Sequence, residues 1–249
     1  VAFTPVVAPT YIQGHPIDGA ATPVVATTTS VVDKKTVQKP EEKVAEVPSG
    51  NIVVNGDFSQ DLSVGWKKVI DWDTNKVTEA GVNWAKIEPE LSGSEKVLHL
   101  YHNGNSFINI TQEIPVNTTD LEFSVSLKLY ASEYKYDGNY SGAFFWIEFQ
   151  DNTGRILGDV FWRAWNSGWD ILTDSPVRRI VVQEGNSRGV DTKWQTYNIN
   201  LKDELSTYMI GVKKEQVKKV IITMQCRGCK QNSHSELWVD NISLKRIDK

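Results

Sequence analysis

From residue 51 onward, short runs of the chain alternate apolar and polar residues with a period of two, separated by turn residues. In "LEFSVSLKLYA", Leu121, Phe123, Val125, Leu127 and Leu129 fall on one side, and Glu122, Ser124, Ser126 and Lys128 on the other. Successive side chains of a strand point to opposite faces, so this pattern predicts a strand with one buried and one wet face. The same reading predicts strands in "NIVVNGDF", "KVLHLYH", "FINITQEI", "AFFWIEFQD", "RILGDVFWRAW", "RRIVVQE", "WQTYNINL", "KKVIITMQC" and "SELWVDNISLKRI". Short helices are expected only over "DLSVGW" and "KKEQV". This succession of strands predicts an all-β fold, an antiparallel β-sandwich of jelly-roll type behind an extended N-terminal segment.

Within "FWRAWNSGWD", Trp162, Trp165 and Trp169 have the spacing of a helical stripe. Asn166-Ser167-Gly168 is, however, a three-residue hairpin loop signal closed by a glycine in the left-handed region. Read as a hairpin, the stretch makes Trp165 and Trp169 cross-strand partners, pairs Arg163 with Ile171 and pairs Trp162 with Leu172. Trp162 then joins Val160 and Ala164 in the core, while Trp165 and Trp169 share the other face with Arg163 as a ring platform. A bulge would reverse that parity. On the preceding strand, Trp146 and Glu148 share a face with Phe144 and Gln150, which lines a cleft or closes the sandwich. Tyr134, Tyr136 and Tyr140 lie in a polar, glycine-bearing loop, available for binding or for self-packing. Trp66, Trp194 and Trp238 are expected in the core, and Trp72 and Trp84 flank a loop-like segment.

Composition divides the chain. Residues 1–50 hold six of the nine prolines and none of the nine tryptophans, which predicts an extended tail or linker there and one domain over 51–249. "VAFTPVV" and "TPVVATTTSVV" are β-prone, so donation of a strand from residues 1–30 to another copy stands beside a flexible stalk. Net charge is -4 and no apolar run approaches the length of a membrane span, so neither nucleic acid nor a bilayer is an expected partner. The chain starts at Val1 without a leader, as expected of a secreted or cell-surface protein after signal removal, and a trimmed chain would start the same way. Sequons at Asn109, Asn117, Asn139 and Asn241 add the expectation of a glycoprotein.

Candidate chemistry is sparse. His15, His99, His102 and His234 are scattered, and Glu148 and Asp151, three apart, project to opposite faces of an extended strand. With no pair of carboxylates facing one cleft and no nucleophile set, no enzyme is expected. Cys226 and Cys229 supply two ligands where a structural zinc site wants four, so a local disulfide is the expectation.

The opening "NIVVNGDFSQDLSVGWKK" and closing "SELWVDNISLKRI" resemble the first and last strands of β-sandwich carbohydrate-binding modules of families four, sixteen and twenty-two. "ELSGSEKVLHLYHNG" and "TKWQTYNINL" resemble inner segments of the same modules, so the resemblance covers most of 51–247. It implies non-catalytic binding of a polysaccharide or cell-surface glycan, and the aromatic residues gathered between 130 and 170, with their polar neighbours, supply the candidates for stacking: Trp165, Trp169, Arg163, Trp146, Glu148, Tyr134, Tyr136 and Tyr140. It also implies a structural Ca2+ between first strand, last strand and the early Gly-Ser turn. Asp240 matches the closing ligand, but Ser59 occupies the opening carboxylate position, leaving Asp57 and Glu95 to serve. The alternative is a structural subunit of an extracellular filament or surface layer, assembled by N-terminal strand donation that covers a sheet edge.

Overall fold

In the computed structural model the described residues are 50–70, 82–89, 96–132, 140–166, 173–184, 190–191, 193–228 and 233–247. They form two facing sheets. Sheet A runs in the order β1 (Lys67–Ile70), β4 (Phe107–Pro115), β11 (Lys219–Gly228), β6 (Ser141–Gln150), β7 (Ile156–Asn166) and β8 (Arg178–Glu184). Sheet B runs in the order β10 (Gln195–Asn200), β5 (Leu121–Ala131), β12 (His234–Arg246), β3 (Lys96–Asn103) and β2 (Val82–Pro89), with β9 (Val190–Asp191) also on β5. Among the described residues no helix is long and apolar enough to cross a membrane.

The alternation of β5 is obeyed residue by residue: Leu121, Phe123, Val125, Leu127 and Leu129 are buried between the sheets. Ile108 and Ile110 of β4, Ala143, Phe145 and Ile147 of β6, and Ile222 and Met224 of β11 meet them from sheet A. Trp162 is fully buried, with its ring 5.6 Å from Phe145, 6.0 Å from Phe123 and 5.9 Å from Tyr197. Phe123 and Tyr197 belong to sheet B, so one indole spans the interior.

Several elements differ from expectation. "NIVVNGDF" is a run of turns, because its asparagines bond the backbone instead of leaving it free to pair. Asn51 Oδ1 accepts from Val53 N and Leu244 N at 3.0 Å each, and its Nδ2 donates to Ile242 O at 3.1 Å. Asn55 and Phe58 take φ of 52° and 50°, and a Cβ on Gly56 would run into the Ile242 carbonyl. The chain is thereby seated on β12 without a ladder. "DLSVGW" is likewise a series of turns, whereas "KKEQV" contains a 3-10 turn over Lys214–Gln216. "WQTYNINL" stops being a strand at Asn200, whose Oδ1 accepts from Lys202 N and Asp203 N and starts helix α1 (Leu201–Thr207). The sheets are antiparallel except where β7 and β8 run parallel.

Three placements are corrected. Trp66 is in the core, but Trp194 is only half-buried, and Trp238 lies on the outer face of sheet B with its ring stacked on His99. Cys226 is a buried free thiol rather than half of a disulfide: its side chain faces the core, with Sγ 3.7 Å from the Leu100 carbonyl. Burial pushes that thiol well above its ordinary value, which keeps it unreactive. Cys229 lies outside the described residues.

Because Trp162 fills the space between the sheets, Trp162→Ala is expected to destabilise the protein by about 3–5 kcal/mol in denaturant unfolding. Ile156→Ala, at a site 57% exposed, is expected to change stability by no more than about 0.5 kcal/mol. Comparable losses from both variants would contradict the packing described.

Candidate functional site

Strand parity decides what the outer face of sheet A presents. With Phe145, Ile147, Val160 and Trp162 inside, the alternate residues Phe144, Trp146, Glu148 and Gln150 of β6 and Asp159, Phe161 and Arg163 of β7 point outward. The ladder sets Trp146 opposite Phe161 on one side and Thr223 on the other, and sets Thr223 opposite Thr111. One step along, Phe144 stands opposite Gln225, which stands opposite Asn109. The Trp146 and Phe161 rings stack at 5.3 Å and 9°. A half-buried aromatic pair is thus bordered by a neutral row of amides and hydroxyls: Asn109, Gln225, Thr223 and Thr111. The Asn109 Oδ1 is buried and has no hydrogen-bond donor among the described residues.

Two ion pairs of the described residues lie on this face. Arg178 of β8 grips Asp159 through two bonds, Nε to Oδ1 at 2.5 Å and Nη2 to Oδ2 at 2.6 Å, with its guanidinium 5.3 Å above the Phe161 ring. Lys219 Nζ reaches Glu113 Oε2 at 2.7 Å. Among the described residues Glu148 has no cation beside it: its Oε1 accepts from Gln150 Nε2 at 2.5 Å. Burial raises its carboxyl above the ordinary range, the Gln150 bond opposes that, and the Asp159 charge opposite adds to it. Asp159 and Arg178 were not legible as a pair in the sequence, since only the parallel β7–β8 register aligns them.

The pairings expected of Trp162 with Leu172 and of Arg163 with Ile171 are replaced by others. Both sides of β7 are occupied along Trp162–Ala164, by β6 and by β8, so Val182 rather than Leu172 stands beside Trp162 and Gln183 rather than Ile171 beside Arg163. Trp165 is only 9% exposed, and Arg163 is 1% exposed. The Trp165 ring packs against Tyr140 at 5.1 Å and Phe144 at 5.4 Å, and these three rings surround the Arg227 guanidinium at 5.2–5.7 Å. Gly142 makes this closure possible, because a Cβ there would sit 2.6 Å from the Trp165 ring. These rings therefore spend their faces on one another and on Arg227. Trp169, Tyr134 and Tyr136 lie outside the described residues.

The remaining acids have local tasks. Asp151 accepts from Thr153 N, Thr153 Oγ1 and Arg155 N in the turn after β6, and the Thr153 hydroxyl bond chiefly holds it down at about 2. Asp57 Oδ1 accepts from Ser59 N and Ser59 Oγ, and Asp240 accepts from Asn241 N at 2.7 Å and Nδ2 at 2.8 Å. Among the described residues no group of three His, Cys, Asp or Glu side chains is arranged to hold a metal ion. Glu95 lies outside the described residues.

No protein-family model matches the chain, and no curated protein matches it by sequence. Among solved structures, it is similar to TmCBM61 in complex with β-1,4-galactotriose, at 13% identity and TM-score 0.38 over 79% of this chain and 99% of that one. It is similar to the family 11 carbohydrate-binding module from Clostridium thermocellum in complex with a β-1,3-1,4-mixed-linked tetrasaccharide, at 14% identity and TM-score 0.38 over 80% and 96%. It is also similar to the enzymatically active domain of bacteriophage CBA120 tailspike protein 4, at 13% identity and TM-score 0.42 over 79% of this chain. The chain spans only 21% of that tailspike chain.

Proposed function

We propose that the protein binds a polysaccharide or cell-surface glycan along the outer face of sheet A and performs no chemistry on it. The observation that carries this reading is the stacked Trp146–Phe161 pair beside a row of neutral amides and hydroxyls, with Asn109 Oδ1 lacking a donor among the described residues. The apolar C–H face of a pyranose ring suits an aromatic surface, and its hydroxyls suit amide and carboxylate partners. Asn109 and Gln225 take hydroxyls on one side of Trp146, and Glu148 and Gln150 take them along its own strand. Asp159 stands opposite Glu148, but its two oxygens are tied to Arg178 and it is 7% exposed. It is therefore not free to act as the second carboxylate of a glycoside cleavage. The filament reading rests on residues 1–49, which lie outside the described residues.

Calorimetry or affinity electrophoresis across soluble β-glucans, mannans and xylans is expected to find a ligand, and Trp146→Ala to weaken its binding at least about tenfold, or ~1.4 kcal/mol. Unchanged affinity in that variant would remove Trp146 from the site, and no binding to any of these polymers would remove the function.

A second expectation concerns pH. Glu148 has a folded-state pKa raised from its ordinary value of 4.5, so the native state keeps a proton that the unfolded state has lost. Stability must then fall as pH rises from 4.5 through the raised value, and level off above it. Glu148→Gln keeps the Gln150 contact and removes the titration, so its Tm should gain on the wild type across that window. Parallel Tm profiles for the two proteins would contradict the buried placement of Glu148.

A further inference from the structure

We propose that the outer face of sheet B carries a pH-operated clasp. In it, His99, held between Glu88 and Glu236, fastens the edge strand β2 while its imidazole is doubly protonated and slackens it when a proton is lost.

The strand in question is the margin of sheet B. Among the described strands β2 pairs only with β3, so one backbone ladder and its side-chain contacts hold it. On the outer face those contacts are few and specific. Trp84 lies stacked on Tyr101 at 5.1 Å and 5°, and its edge meets His99 at 4.7 Å. Glu88 Oε1 lies 2.5 Å from His99 Nδ1. The other ring nitrogen, Nε2, lies 2.7 Å from Glu236 Oε2 on β12. His99 is 7% exposed and stacks on Trp238 at 4.4 Å, so the imidazole ties β2 to β12 across its own strand, largely out of water.

A carboxylate oxygen only accepts, and a neutral imidazole has a single N–H. Two carboxylates on the two ring nitrogens are both satisfied only by the imidazolium, which donates from each. After one proton leaves, one of the two contacts sets a lone pair against a carboxylate at hydrogen-bond distance, where low dielectric magnifies the repulsion.

The geometry also says which contact yields. Glu236 has a second histidine, with Oε1 2.8 Å from His234 Nε2, and His234 is itself seated against Tyr101 at 4.9 Å and Tyr130 at 5.1 Å. Burial would raise the Glu236 carboxyl, but the bonds and charges of His234 and His99 overcome it and hold Glu236 at about 2. Glu88 contacts only His99 among these groups, its side chain is 39% exposed, and it sits on the margin strand. The Glu88 link is the one that opens.

The other charged and titratable groups facing His99 leave this balance in place. Lys86 of β2, opposite His99 in the ladder, lies 4.5 Å over the Trp84 ring, and Lys128 of β5 lies 4.4 Å over the Trp238 ring. Tyr101 is on its own strand, and Asp240 of β12 is tied to Asn241. The rings cover one another and the lysines cover the tryptophans, so this face is a closed ladder rather than an open stacking surface. Its lower limit comes from Glu236, whose stabilisation is present above 4.5 and is lost as pH falls toward about 2. Its upper limit is the loss of the His99 proton.

Amide hydrogen exchange of β2, corrected for intrinsic rates and referred to β5, tests the clasp from about pH 5 to about pH 8, the range in which histidine exchanges its proton. Protection of β2 relative to β5 is expected to fall at least about tenfold over that range in the wild-type protein, as expected of a locally opening element. In Glu88→Gln the side-chain amide can accept from the imidazolium or donate to the neutral ring, so β2 protection is expected to stay level. Ring 15N shifts of His99, followed in the same samples, are expected to track the loss of protection in the wild type. A β2 protection that is flat in the wild type, or that falls equally in Glu88→Gln, would overturn the proposal.

Discussion

Trp162 reaches from β7 across the interior to Phe123 and Tyr197 on the opposite sheet, and its complete burial sets the parity of everything around it. Once that indole is inside, Phe161 and Arg163 must be outside, because successive residues of a strand alternate. The ladders with β6 and β11 then carry the same parity outward, bringing Trp146, Thr223 and Thr111 into one transverse row. A slip of one residue would bury Glu148 and expose Phe145, which no sandwich of this composition tolerates. The candidate glycan face is thus a consequence of the core and not an addition to it.

The two outer faces solve different problems with similar residues. On sheet A the ion pairs Arg178–Asp159 and Lys219–Glu113 neutralise the flanks and leave a neutral centre beside Trp146. On sheet B the tryptophans are stacked on histidine and tyrosine and roofed by lysines, with glutamates gripping the imidazole between them. Aromatic content alone does not separate a surface offered to a ligand from one sealed on itself. What separates them is whether the ring faces already have partners. By that criterion Trp165, Tyr140 and Phe144, closed around Arg227, belong with the sealed set although they sit on sheet A.

Much of the sandwich was legible, because alternation is a local signal. β5 follows its pattern from Leu121 to Ala131, and the outward placement of Trp146 and Glu148 follows from the same parity. Non-local choices were not legible. "NSG" signals a hairpin, yet the partner of β7 along Trp162–Ala164 is a parallel strand beginning at Arg178, a pairing that no neighbouring residue announces. Trp238 lies in the continuous apolar run "LWV", which does not state its face; the register with His99 and Lys128 does. His99 and His234 are far apart in sequence and share Glu236 only because β3 and β12 are neighbours. The asparagines of "NIVVNGDF" read as part of a strand, but their side chains bind backbone and make turns.

Backbone and side-chain NMR shifts on titration with a bound β-glucan, mannan or xylan test whether the glycan lies on sheet A. Perturbations are expected to cluster at Asn109, Thr223, Gln225, Trp146 and Phe161, with the Asn109 and Gln225 amide side chains among the most affected. Perturbations confined to Trp84, Tyr101 and Trp238 on the other sheet, or none at saturating ligand, would contradict that placement.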